Sequence, residues 1–259
     1  EKPKELFFAN AGIVLRGKKW IEKQTERIHF MEIKILKPRK AINKAFLKVK
    51  PNRSEIDSFK TNMIQLLDRT NDTVSEEFHK NLVIDFLKKT YYEPNHFVNT
   101  KGKTDLVIHN GDKAKSNVGV LIETKKPTNK SEMLKKNKIN VKAFQELVLY
   151  YLRERINNKN LDIKHLVATN INEWFVFDEH LFERMFAQNK KFVKQFQDFE
   201  AGKKSTDVFY KEIAAPFINN IEQEIDFIFF DIREYEKPLR NNNPKDDNKL
   251  ISLFKLLSP

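Results

Sequence analysis

The chain has no cysteine among its 259 residues. That excludes disulfides, thiolate-held zinc and iron–sulfur clusters, and it suits a reducing cytoplasm, which is the expected location. Glycine and proline are scarce, at six and nine, leaving little material for low-complexity linkers. No stretch approaches the roughly 18 apolar residues of a membrane helix. The mildly apolar residues 6–15 are not followed by a small-residue cleavage pattern. Six histidines show no zinc-ligand spacing. No Gly-rich phosphate loop occurs, so nucleotide hydrolysis has no support.

What the chain does have is bulk and positive charge. It carries 22 phenylalanines, and 48 Lys and Arg against 36 Asp and Glu give a net charge of +12. Residues 1–60 hold 16 basic and 7 acidic residues, a net of +9. An excess of this size favours a polyanionic partner through phosphate contacts and counterion release. A solvated lysine-rich surface is the plainer explanation of the same charge.

Periodicity organises the chain into a mixed α/β core. Residues 1–53 read as a basic N-terminal extension. A helix is expected over 54–69 and another over 75–90, the latter with Ser75 as N-cap and a stripe of Phe78, Leu82, Phe86 and Leu87. The period then changes to that of strands at 96–99, 104–109 and 118–124, the last two joined by Asn110-Gly111-Asp112. A long helix at about 138–156 follows. His165–Thr169 and Trp174–Phe177 form a returning hairpin, and Trp174, Phe175 and Phe177 suit a buried hairpin better than a base-stacking platform. Residues 54–178 make the core, 179–235 a helical C-terminal part with Phe227–Ile232 as a further candidate strand, and 236–259 a polar linker leading into an apolar helix. The expected architecture is a central mixed sheet of about four to five strands flanked by helices.

The chemistry concentrates in residues 103–127. Side chains alternate across a strand, so Glu123 and Lys125 emerge on one face and Thr124 on the other. If the 104–109 strand pairs with 118–124 as a hairpin, Asp105 comes beside Glu123. A hard Mg²⁺ ion takes oxygen ligands and keeps several waters. Asp105, Glu123 and the backbone carbonyl of Thr124 would supply them. Such an ion would polarise a scissile phosphate. Lys125 would orient or activate the attacking water, and acting as a base would require a depressed pKa. An Asp…Glu-x-Lys pattern alone is common in a lysine-rich chain. Its place at the end of an apolar strand, where unpaired charge is costly, sets it apart from a structural Glu–Lys pair.

This order of elements, with Asp105 and Glu123-Thr124-Lys125 on consecutive strands, resembles the PD-(D/E)xK nuclease superfamily, whose fold is restriction-endonuclease-like. The stretch from about Lys34 to Phe186 further resembles the N-terminal nuclease region of single-chain type IIG restriction–modification enzymes. The residues carrying this are Phe46-Leu47-Lys48-Val49-Lys50-Pro51, Ser75-Glu76-Glu77, Thr104-Asp105-Leu106-Val107-Ile108, Gly119 through Pro127, Glu132-Met133 and Ala168-Thr169-Asn170 … Glu173-Trp174-Phe175-Val176-Phe177-Asp178. The resemblance implies a Mg²⁺-dependent DNA endonuclease acting through Asp105, Glu123 and Lys125. It also implies methyltransferase and target-recognition regions in the same polypeptide and dimerisation on double-stranded DNA.

Three departures bear on the site. Thr104 stands where the family pattern has Pro. The helix-borne glutamate is Glu76 or Glu77, and Glu77 is chosen because Asn81 and Ile84 share its face. The Gln-x-x-x-Tyr element is approximated by Gln145 and Tyr150, one residue late. Lys126, Lys130, Lys135, Lys136 and Lys138, just past the catalytic strand, are the expected contacts to the nucleic-acid backbone. His109 shares the strand face of Asp105 and suits an ordinary structural role better than substrate contact. The runner-up function is a catalytically inactive nuclease-like module for DNA binding or assembly.

Overall fold

A computed structural model describes residues 32–101, 104–202 and 204–259, without the side chains of Thr104 and Asp105. Most of the expected basic extension at 1–53 lies outside the described residues, up to Met31.

The chain is α/β, with a mixed sheet flanked by helices. The sheet has seven strands, not four to five, in the order β1-β7-β6-β5-β4-β3-β2. These are β1 (Ile33–Leu36), β2 (Val98–Lys101), β3 (Thr104–His109), β4 (Val118–Thr124), β5 (His165–Thr169), β6 (Glu173–Asp178) and β7 (Ile225–Asp231). β1 runs parallel to β7, and β4 parallel to β5; the other neighbours are antiparallel. The additional members come from the ends. β1 is a short edge strand with lysine in it, so alternation barely marks it, and β7 (Ile-Asp-Phe-Ile-Phe-Phe-Asp) inserts between it and β6.

Five longer helices cover the faces: α1 (Arg53–Arg69), α2 (Glu76–Leu87), α3 (Lys142–Leu152), α4 (Lys190–Ala201) and α5 (Pro244–Leu257). α1 begins with a capping box in which Asn52 accepts from the Glu55 amide and Glu55 accepts from the Asn52 amide. Ser75 caps α2 as its sequence suggests, accepting from the Phe78 amide.

Two apolar cores result. On one face, α3 and α4 bury phenylalanines against β4 to β7, with Phe144 in contact with Phe177, Phe182 and Phe186. On the other, α1, α2 and α5 cover Leu106, Ile108, Ile122 and Trp174. Trp174 stacks on Phe230 at 5.8 Å, and Trp174, Phe175 and Phe177 are all fully buried. The hairpin is therefore core. A register shift between Ile108 and His109 interrupts strand alternation, and Val118 packs with Leu121 rather than opposite it.

The polar run expected to be an exposed linker at 236–248 is instead helical, over Glu236–Arg240 and from Pro244 onward. Its polar residues have structural partners. Asn243 caps α5 by accepting from the Lys245 amide, and Asn241 donates to Asp246. Asp247 is buried against Lys60 of α1 at 2.9 Å and also binds Arg53. Lys60 further donates to the Asn241 carbonyl. Breaking such a buried pair from one side leaves an uncompensated charge. Asp247→Leu should therefore lower unfolding stability by about 3 kcal/mol in urea titrations, whereas a mobile linker would show almost no change.

Candidate functional site

Leu106 of β3 pairs with Ile122 of β4. Asp105 and Glu123 follow that pair at the same end of the ladder, so the backbone brings the two positions together as the hairpin reading expects. The Asp105 side chain lies outside the described residues. On the other edge of β4, Glu123 is opposite Ala168 and Thr124 opposite Thr169 in the parallel ladder, and the Lys125 amide donates to the Thr169 carbonyl at 2.8 Å. Two neighbouring strands thus fix the backbone on either side of Glu123.

Glu123, Thr124 and Lys125 are all buried, at 1–3% exposure. The Lys125 ammonium lies 2.6 Å from Glu123 and 2.8 Å from Glu146 of α3. Glu76 stands 3.6 Å away and Glu132 3.9 Å away. Glu76 also accepts from the Lys126 amide at 3.0 Å, and Glu132 is bound by Asn129 and Lys142. Among the described side chains, these four carboxylates and the Lys125 and Lys142 ammonium groups sum to a formal charge of −2.

Burial works to lower the Lys125 pKa, but Glu123 and Glu146 outweigh it and hold the ammonium well above its ordinary value. These carboxylates favour the charged form of Lys125, the opposite direction from the depressed pKa that water activation by lysine would need. Burial also acts to raise the Glu132 pKa, yet hydrogen bonds from Asn129 and Lys142 bring it below the usual carboxylate range.

Glu76, not Glu77, lies beside Lys125. The buried stripe of α2 runs through His79, Leu82, Val83 and Phe86, while Phe78 is exposed. Glu76 precedes that stripe by one helical step of three and so faces the sheet. Glu77 lies about 100° away, largely exposed, and pairs with Lys80. Gln145 stands outside the cluster; its amide donates to Asn140, which ties the start of α3 to Ala215 and Asn219. The next residue, Glu146, lies in the cluster. α3 is buried all round from Ala143 to Leu152, so no polar face advertises its orientation. The signal available was the one carboxylate in that helix.

His109 is buried, its ring nitrogens facing the Ser116 carbonyl and the Asn99 side chain, which is a structural role. His79, one turn from Glu76, is also buried and faces the Ser75 carbonyl through Nδ1. Of the lysines past β4, Lys130, Lys135, Lys136 and Lys138 are exposed and Lys126 is half-buried. Lys135 and Lys138 close a tight turn through reciprocal backbone hydrogen bonds, and Lys136 lies over the Phe229 ring at 4.4 Å.

Oxygen-only donors and the carboxylate excess suit a hard divalent cation, which needs only one or two carboxylates besides water. Among the described residues no three His, Cys, Asp or Glu side chains form a ready-made cage; the carboxylates converge on Lys125. No helix of the described residues is long and apolar enough to cross a membrane.

The model of a family described as "Domain of unknown function (DUF7149)" matches residues 36–259. No curated protein and no solved structure matches the chain.

Removing the Lys125 charge should expose its structural weight. Lys125→Met leaves Glu123 and Glu146 buried without their cation and should cost about 3–5 kcal/mol. Adding Glu146→Leu should restore part of that loss, a non-additivity read from denaturant midpoints of the single and double variants. Fully additive losses would mean that the two groups are not coupled.

Proposed function

The chain belongs to the DUF7149 family, and we propose that it is a Mg²⁺-dependent DNA endonuclease domain of a restriction–modification enzyme. The observation that carries this reading is the end of β4. Glu123 and Lys125 are buried there beside the Asp105 position, within a cluster of surplus carboxylates. Burying that many charged groups costs stability, and such clusters concentrate at functional sites. The resemblance to the PD-(D/E)xK nucleases and to type IIG enzymes supplies the reaction class and the biological setting.

Asp105, Glu123 and the Thr124 carbonyl would hold the ion. When bound, it supplies polarisation of the scissile phosphate and stabilises charge developing on it. Lys125, kept charged by its neighbours, orients water or a phosphate oxygen electrostatically. Glu146 and Glu76 position that ammonium. The exposed lysines after β4 contact the DNA backbone, and cutting both strands would call for two such domains meeting on the duplex. Methyltransferase and target-recognition regions would lie in the same full-length polypeptide.

A second reading comes from the same cluster. Lys125 occupies the point on which the carboxylates converge, as it would in a catalytically silent module that binds DNA or assembles with a partner. Plasmid nicking in Mg²⁺ separates the two. The active domain converts supercoiled DNA, and Glu123→Gln or Lys125→Ala lowers the rate by about 100-fold or more with DNA binding retained. Glu76→Ala weakens cleavage far more than Glu77→Ala. Equal nicking by wild type and Glu123→Gln would overturn the enzyme reading.

The lysines give an independent prediction. Neutralising Lys130, Lys135 and Lys138 together should make the dependence of log affinity on log salt shallower on duplex DNA. The change should be about 0.9 for each phosphate that these side chains no longer neutralise. An unchanged slope would assign these lysines to solvent alone.

A further inference from the structure

Beside the carboxylate cluster lies a second concavity of about 300 Å³, lined by the loop after β4, the β5–β6 turn and Arg233. It adjoins the site covalently on two sides. Pro127 follows Lys125 by two residues, and Asn170 follows Thr169, whose carbonyl holds the Lys125 amide. Its volume is at the small end of ligand pockets, enough for one unstacked nucleotide rather than a stacked pair.

Hydrogen bonds hold the β5–β6 turn in its lining. Asn170 is 6% exposed and exchanges hydrogen bonds with Glu173 through side chain and backbone. Ile171 adopts a left-handed backbone, with φ of 75°, and its carbonyl accepts from the Trp174 indole. The Asn172 carbonyl accepts from the Ile232 amide. Asn172 is thus held in place through its backbone, leaving its half-buried carboxamide to present a donor and an acceptor together.

Charge sorts the ligand. Lys130 and Lys135 stand exposed at the rim. Arg233 is fixed flat by a two-point bond to Asp231, at 2.6 and 2.8 Å, and can offer its guanidinium plane for stacking. Pro127 and Met133 provide apolar wall. Glu173 lies in the lining, with one oxygen taken by Asn170. A carboxylate there repels a phosphate but accepts a hydrogen bond from an amine.

We propose that this pocket binds an unstacked nucleobase bearing the 6-amino group of adenine or the 4-amino group of cytosine, with its phosphates at the Lys130–Lys135 rim. Asn172 suits the paired donor and acceptor of adenine, and Glu173 suits the amine of cytosine. The proposal rests on the nucleic-acid reading of the neighbouring site and adds that one base leaves the duplex stack to be read beside it.

The test is fluorescence anisotropy of the intact chain with short labelled homopolymers of deoxyadenosine, deoxycytidine and thymidine, in chelator so that no cleavage occurs. Deoxyadenosine or deoxycytidine strands should bind about ten-fold tighter than thymidine strands. Asn172→Leu should abolish an adenine preference, and Lys130→Ala/Lys135→Ala should weaken all three strands alike. Competition with free dAMP and dCMP identifies the source. Displacement only at far higher concentration shows a base carried on a strand, and displacement at matching concentration shows a free nucleotide in the same pocket. Equal binding of the three homopolymers by wild type would overturn the proposal. The result separates from the nuclease reading, because base preference without plasmid cleavage sustains the pocket alone, and cleavage without base preference sustains the nuclease alone.

Discussion

The Lys125 ammonium, buried at the end of β4 between Glu123 and Glu146, is the interaction around which the site is organised. A lone ammonium in that position would be strongly disfavoured by lost hydration, and the same holds for either carboxylate. Each group is tolerable only because the others are there. The contacts join β4 to α3 directly and, through Glu76, reach α2 on the opposite side of the strand ends. The packing of those elements and the electrostatics of the site are therefore one problem. Shifting α3 or α2 would unpair charge as well as open an apolar gap.

This arrangement also fixes what Lys125 can do. Its carboxylate neighbours hold its pKa up, so it contributes charge and position. In the proposed function, the carboxylates around Lys125 are the groups that a divalent cation would bind. Exposed lysines lie just outside the carboxylate cluster, and the proposed phosphodiester substrate rests on that sign pattern.

The local part of the site was legible because a strand imposes a strict period of two. That period places Glu123 and Lys125 on one side and sets Asp105 beside Glu123 once the hairpin is assumed, and the β3–β4 register agrees. The helical contributions were harder. Near a helix start, Glu76 and Glu77 differ only by about 100° of rotation, and the sequence offered Phe78 as an apolar marker. Phe78 is in fact exposed, and His79 and Val83 define the buried side. In α3, burial on every side removes the polar face from which orientation is inferred, so Gln145 and Glu146 could not be ranked by periodicity. The larger sheet was hidden for another reason. β1 acquires its meaning only from β7, far along the chain, and the polar 236–248 run resembles a linker until Lys60 and Arg53 are seen to meet Asp247.

Beneath all of this lies one claim, that the β4 end is a divalent-cation site. Calorimetric titration of Mn²⁺, as a stand-in for Mg²⁺, into the metal-free chain tests it without requiring DNA or cleavage. Saturable binding is predicted, disappearing in folded Glu123→Gln and Asp105→Asn variants and surviving in Glu77→Gln. Binding unchanged in Glu123→Gln, or none in the folded wild type, would contradict it.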